Sequence, residues 1–144
     1  MLETIPLLST MALGLFTGSL LTEGMILVPY WKRMPASEFI KLHGTLGPQL
    51  FRYFAPLTTI AVVLAVTTAI LDHGQRPELT AAAALCVLTL LIFFLYFRKT
   101  NASFKNGVID EQALPSVLAL WSKWHWIRTS VMLFAFGLSI LGLQ

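Results

Sequence analysis

Four long apolar stretches alternate with short polar segments along this chain of 144 residues. They cover about residues 4–28, 50–71, 79–97 and 117–143. A helix rises about 1.5 Å per residue, so each stretch can cross a hydrocarbon layer about 30 Å thick. The short connections leave no room for a second domain. We therefore predict an all-α fold: a four-transmembrane-helix bundle in which residues 1–144 form a single integral membrane domain.

Two polar segments on the same side of this bundle decide how the spans are connected. The segment Ala36 to Leu46 mixes charged and apolar side chains, which predicts a short amphipathic interfacial helix between the first and second spans. Gly47 can end that helix and Pro48 can start the second span, whereas one helix bent at Pro48 is the alternative. The polar segment Arg98 to Leu114 is predicted to be a loop.

Composition and charge agree with a membrane protein and suggest its orientation. The chain is 56% hydrophobic and 12% charged, with a mean hydropathy of +0.74. Lys and Arg concentrate in or beside the two segments described above, and only Arg76 lies on the opposite side. Because cytoplasmic loops are rich in Lys and Arg, we expect both termini outside, in the periplasm of a bacterial inner membrane. The net charge of +3 then reflects the orientation of the chain in the membrane. The chain has no basic face that would indicate a nucleic-acid partner.

The most informative side chains are charged groups placed where a membrane helix would not ordinarily carry them. Glu23 lies inside the first apolar stretch, and an ionisable group at that depth is costly unless it serves a pathway, a partner or a reaction. The last span begins with a polar and aromatic cluster. At about 100° per residue, Trp121, His125 and Arg128 share one face of that helix, with Trp124 at its edge.

An up-down topology brings these residues to one level of the membrane. Glu23, Arg52 and Arg128 each lie near the cytoplasmic ends of their spans. His43 could close over them as a lid or lie exposed. We therefore predict one polar, aromatic-lined pocket for a hydrophobic small molecule, open to the cytoplasm. Its expected members are Glu23, Arg52, His125, Arg128, Trp121, Trp124, Tyr53 and His43.

The W-x-x-WHWIRT sequence at Trp121–Thr129 gives this chain a family resemblance. Together with a glycine-containing first helix that ends at Pro29 and a second helix that opens near Arg52, it resembles the anthrone oxygenase-like family of small integral membrane proteins. The resemblance implies oxidation of a polycyclic phenolic anthrone by O₂. The residues here that match the family's aromatic and histidine motif are Trp121, Trp124, His125 and Arg128. The resemblance does not specify the substrate.

Three functions stay open on this basis. In an oxygenase without a cofactor, His125 would remove a proton, Arg128 and Arg52 would stabilise the enolate, and the tryptophans would stack on the rings. In a metal-dependent enzyme, Glu23, His43 and His125 would hold a single Fe, Cu or Zn ion. In a non-enzymatic binding or accessory subunit, Glu23 and Arg128 would only pair. Haem ligation by the two histidines is the weakest alternative.

A stripe of small residues on the first helix bears on packing rather than chemistry. Gly14, Gly18 and Thr22 recur every four residues, which lets a neighbouring helix approach closely. That neighbour could belong to the same chain or to a second copy in a homo-oligomer. The single cysteine, Cys86, excludes an intrachain disulfide.

Overall fold

The computed structural model describes residues 4–144 and contains four long helices. They are α1 (Thr4–Arg33), α2 (Ala36–Asp72), α3 (Pro77–Asn106) and α4 (Leu114–Leu141). Each helix is long and apolar enough to cross a membrane. The described part of the chain contains no strand. The predicted all-α fold with four membrane-spanning helices is therefore confirmed.

The four helices form a closed ring. Each helix packs against its neighbours in sequence, and α1 also packs against α4. Two hydroxyl groups of α1 donate hydrogen bonds across this last contact: Thr10 to the Ser139 carbonyl at 3.4 Å and Thr17 to the Met132 carbonyl at 3.3 Å. Interhelical hydrogen bonds of this kind help hold helices together where lipid offers no polar partner. The topology is that of an up-down-up-down bundle.

The small-residue stripe of α1 contributes to this packing at one position. A Cβ on Gly14 would lie 3.0 Å from the Phe136 ring of α4, so a larger residue would require that ring to move. A Cβ on Gly18 would meet nothing within 4 Å, and Thr22 is exposed. Gly18 and Thr22 therefore lie on the outer surface of the bundle.

The predicted interfacial helix is wrong as a separate element. Residues 36–46 are the first turns of α2, which runs unbroken from Ala36 to Asp72 through Pro48 and Pro56. Each proline removes one backbone hydrogen bond from the helix. The helix nevertheless continues through both prolines, and Phe39 near its beginning is fully buried. Of the two sequence-based alternatives, the single helix is the one observed.

The predicted loop between the third and fourth spans is also shorter than expected. α3 continues nine residues beyond Phe97, to Asn106, and the chain turns at Gly107, where φ is 64°. Phe97 and Phe104, two helical turns apart, are both buried. Their burial stabilises a continued helix, even though most of the residues between them are polar.

These extensions build a second hydrophobic core at one end of the bundle, partly beyond the four apolar stretches. A helix of 30 residues is about 45 Å long, well beyond the thickness of a hydrocarbon layer. The parts of α1, α2 and α3 that exceed this thickness lie on one side of the bundle. There, one buried cluster contains Trp31, Phe39, Phe104 and Trp121. A separate core of mainly small and aliphatic residues fills the bundle nearer the termini.

The opposite side of the bundle is closed by a tight turn between α2 and α3. The Asp72 carboxylate accepts hydrogen bonds from the Arg76 backbone N–H and from Arg76 Nε, both at 2.6 Å. Arg76 Nη1 donates to the Gly142 carbonyl at 3.1 Å, so the turn is tied to the end of α4. Arg76, the only Lys or Arg among the described residues of this side, thus has a structural role.

Candidate functional site

Three ionisable side chains meet between the two hydrophobic cores. Arg128 Nη2 lies 3.4 Å from Glu23 Oε2 and 2.9 Å from His125 Nδ1. Glu23 Oε2 is also 3.5 Å from His125 Nδ1. Glu23 is 5% exposed, Arg128 is 8% exposed and His125 is fully buried. The structure therefore brings Glu23 into contact with Arg128, the pairing that the sequence left as one alternative.

The hydrogen bonds of His125 define its tautomer. Nε2 lies 2.9 Å from the Leu20 carbonyl, and a carbonyl can only accept, so Nε2 carries the hydrogen. In a neutral ring Nδ1 then has the lone pair, which accepts from Arg128 Nη2. Both ring nitrogens are thus engaged within the protein, and the ring stacks on Trp121 with centroids 5.1 Å apart.

Two π-helical turns flank this charged cluster. One covers Glu23–Leu27 in α1, where the Val28 N–H bonds to the Glu23 carbonyl, and the other covers Phe93–Phe97 in α3. The first turn ends just before Pro29, whose missing N–H disturbs a regular helix. The second ends at Phe97, whose ring centroid lies 4.2 Å from the Arg128 guanidinium carbon. Such turns are frequent at functional sites, and here they adjoin the same arginine.

Close packing against His125 explains the glycine that follows Glu23. A Cβ on Gly24 would lie 3.0 Å from His125 Nε2 and 3.1 Å from the Trp126 ring. Any side chain at this position would press on the ring that donates to the Leu20 carbonyl. Gly24 therefore allows α1 to approach α4 at the level of the charged cluster.

A cavity of about 630 Å³ adjoins the cluster. Glu23 and Arg128 line it on one side, and α2 and α3 supply most of its remaining wall. The lining is largely apolar and aromatic, including Phe16, Trp31, Phe54, Phe93, Phe104 and Trp121. Two other lining residues, Phe51 on α2 and Phe94 on α3, are 61% and 54% exposed. The cavity therefore opens sideways, between these two helices.

The cavity contains five of the eight predicted pocket residues: Glu23, Arg52, Arg128, Trp121 and His43. These five side chains come from α1, α2 and α4. The predicted convergence of charged and aromatic groups is thus found around one cavity.

The other three predicted residues do not line the cavity. His125 lies behind Glu23 and Arg128, with both nitrogens engaged. Trp124 stacks on Tyr96 with ring centroids 5.5 Å apart. Tyr53 is exposed, and its hydroxyl lies 2.7 Å from the hydroxyl of Ser19. The position of Tyr53 depends on the rotation of α2, which the sequence pattern does not specify.

His43 is neither a lid nor an exposed group. It is 5% exposed and stacks on Phe39 with centroids 3.9 Å apart, and Trp31 and Phe104 contact its edges. Nδ1 lies 3.1 Å from the Phe39 carbonyl and must donate to it. Nε2 makes no hydrogen bond to any described residue, and a neutral ring carries its lone pair there.

The predicted metal triad is not formed. Among residues 4–144, no three His, Cys, Asp or Glu side chains are grouped so that they could hold a metal ion. His43 packs among the rings of Trp31, Phe39 and Phe104, whereas His125 bonds to the Leu20 carbonyl and lies beside Glu23. The hypothesis of a Glu23, His43 and His125 ligand set is therefore wrong for this geometry.

Sequence reasoning missed the contribution of the extended α3. Arg98, Asn101 and Lys105 all line the cavity. The Asn101 side-chain carbonyl accepts a hydrogen bond of 2.8 Å from Trp121 Nε1 and so holds that ring against the cavity. The spacing of four and three between Phe97, Asn101 and Phe104 is helical, and this signal could have extended the predicted helix.

Arg128 has one donor that the protein does not satisfy. Its Nε is buried and has no hydrogen-bond partner among the described residues. An unsatisfied buried donor is costly, and such groups in native proteins call for an explanation. Because Arg128 lines the cavity, an acceptor atom of a bound molecule would satisfy this donor.

Comparison of the chain with protein-family models, with curated proteins and with solved structures finds no match. The resemblance to the anthrone oxygenase-like family therefore rests on the residues and motifs given above.

Proposed function

We propose that this protein is a membrane-embedded oxygenase that binds a hydrophobic, anthrone- or phenol-like aromatic molecule in the cavity. The observation that carries the proposal is the placement of a histidine and an arginine on the wall of one aromatic-lined cavity within an apolar bundle. Apolar cavities with a few convergent polar groups are the usual sites of small-molecule binding.

His43 is the base that the geometry supports. Its Nδ1–H is held by a backbone carbonyl, which leaves the Nε2 lone pair available to accept a proton. His125 was the base expected from the sequence, but its nitrogens are engaged by Leu20 and Arg128 and it does not line the cavity. In this proposal His125 and Glu23 position the Arg128 side chain.

Arg128 is the group that stabilises the anion. Removing a proton from the carbon opposite the carbonyl of an anthrone places negative charge on the carbonyl oxygen. The Arg128 Nε–H is directed at no protein acceptor and remains available for that oxygen. The aromatic rings of the lining would stack on the substrate rings and orient them.

The proposed reaction needs no reagent other than O₂. The base removes one proton from the CH₂ group, and the carbanion transfers electrons to O₂ and forms a C–O bond, giving a hydroperoxide after protonation. Loss of water from the hydroperoxide gives the ketone. The balance is one CH₂ group and one O₂ converted to one C=O group and one H₂O.

Filling the cavity tests this proposal. Ala55 lines the cavity, so Ala55→Trp is expected to abolish oxygen uptake with a panel of anthrones and hydroquinones. Ala81→Trp is the matched control, because Ala81 is exposed on α3 and does not line the cavity. Thermal unfolding of both variants in detergent checks that they fold.

Two outcomes of this experiment would contradict the proposal. Turnover that survives in folded Ala55→Trp protein would place the reaction elsewhere. Binding of the aromatic compounds without oxygen uptake by the wild-type protein would favour the second candidate, a non-enzymatic binding or accessory subunit. That candidate is supported by the mutual contacts of Glu23, His125 and Arg128, which are those of a structural cluster.

The orientation in the membrane is part of the proposal. The excess of Lys and Arg on the side of the second hydrophobic core supports a cytoplasmic location for that side of a bacterial inner membrane, with both termini in the periplasm. A reporter that is active only after export should then be active when it is fused after Gln144. If instead a reporter that is active only in the cytoplasm is active at this site, the orientation is opposite to the one proposed.

A further inference from the structure

We propose that the molecule bound in the cavity carries an acidic group, such as an aromatic carboxylate, and that this group binds to Arg52, Arg98 and Lys105. The inference rests on the proposed function only in placing an aromatic molecule in this cavity. It specifies the substrate as an aromatic acid rather than a neutral aromatic compound.

The three cations lie along one seam between α2 and α3. A Cβ on Gly47 of α2 would lie 3.6 Å from Lys105 Cβ of α3, so the two helices touch there. Because the helices run antiparallel, moving five residues forward from Gly47 to Arg52 corresponds to moving back to about residue 100. Arg52 and Arg98 therefore lie at neighbouring levels of the seam, and all three side chains line the cavity.

These cations have no partners within the described residues. None of the three makes an ion pair or a side-chain hydrogen bond to another residue between 4 and 144. Glu23 is the acidic side chain among the lining residues, and it is paired with Arg128. The charges of this pair offset each other. The net charge of the cavity wall is therefore the positive charge of Arg52, Arg98 and Lys105.

This charge distribution selects for an anion. A cleft lined by charge of one sign with apolar walls focuses the field and attracts molecules of the opposite sign. Arg52 and Arg98 can each bind a carboxylate with two parallel hydrogen bonds, whereas Lys105 contributes a point charge. Next to the seam, Phe51 and Phe94 provide rings against which the aromatic part of such a molecule can stack.

A pair of fluorescent probes of nearly equal size tests this inference. Anthracene carboxylate and anthracene methanol are titrated against the protein in nanodiscs of phosphatidylcholine. We expect the carboxylate to bind about tenfold more tightly than the alcohol, with a preference that decreases as salt is added. The double variant Arg98→Gln/Lys105→Gln should lose most of this preference and still bind the alcohol.

The control variant removes two charges from the same side of the bundle but not from the cavity. Lys99 and Lys123 are exposed and do not line the cavity, so Lys99→Gln/Lys123→Gln should keep the preference for the carboxylate. An equal loss in both double variants would mean that the preference for the carboxylate depends only on the net charge of the protein. This result would overturn the inference. So would equal affinities for the two probes in the wild-type protein.

Two further outcomes separate this inference from others. If neither probe binds, the proposed function fails together with the inference, whereas equal binding of both probes contradicts the inference alone. Lipid extracts of the purified proteins are analysed by mass spectrometry. An anionic phospholipid retained by the wild-type protein but not by Arg98→Gln/Lys105→Gln would assign the cations to a bilayer lipid and overturn the proposal.

Discussion

Replacing Arg128 with methionine is expected to lower the free energy of unfolding by about 3–5 kcal/mol. The Glu23 carboxylate, 5% exposed, would remain at membrane depth without its cation. His125 Nδ1 would also lose its hydrogen-bond donor. Thermal unfolding in detergent measures the effect. Arg33→Met is the control: Arg33 is exposed and, among the described residues, bonds only to the Pro29 carbonyl of its own helix, so a change within about 0.5 kcal/mol is expected.

A double-mutant cycle shows whether this loss arises from the ion pair. Glu23→Gln, Arg128→Met and the double variant are compared with the wild-type protein. Residues in contact couple, so the double variant should lose less stability than the sum of the two single variants. Strictly additive losses would mean that Glu23 and Arg128 do not interact, although their closest atoms are 3.4 Å apart.

His43→Gln is expected to lower kcat about 10²- to 10⁴-fold, the usual contribution of a general base. Glutamine is similar in size and retains a polar side chain, but it cannot accept a proton as the imidazole does. Binding of the aromatic substrate should change little, because the lining aromatic rings are untouched. Oxygen uptake measures kcat, and fluorescence titration measures binding.

His125→Gln provides the comparison that separates the two histidines. His125 holds Leu20 of α1 and Arg128 of α4 but does not line the cavity, so its loss should reduce stability more than kcat. Full oxygen uptake by folded His43→Gln protein, together with inactivity of His125→Gln, would return the role of base to His125.

The sequence was sufficient for the parts of the site that depend on topology alone. Four apolar stretches of membrane-spanning length specify an up-down bundle, and the bundle brings Glu23 and Arg128 to one level. The cost of an unpaired charge in hydrocarbon then makes a contact between them one of the arrangements that the sequence leaves open. The helical face shared by Trp121 and Arg128 placed both side chains on the cavity wall.

The other features of the site depend on packing outside the apolar stretches. The periodicity of the sequence alone does not reveal this packing. Phe39 and His43 on α2, and Phe104 on α3, lie among charged residues and suggest a membrane surface and a loop. They are buried because two helices extended in the same direction cover each other. Of the two π-helical turns, the first lies next to Pro29, which disturbs a regular helix, whereas no residue pattern specifies the second.

The sideways opening between Phe51 and Phe94 changes what a measured affinity means for this protein. A hydrophobic molecule that reaches the cavity from the bilayer is present at a concentration set by its partition coefficient, and the relevant unit is its mole fraction in lipid. Adding empty vesicles at constant total ligand dilutes that mole fraction. An apparent Kd expressed per volume of solution should therefore rise with lipid content, while the Kd expressed per lipid stays constant.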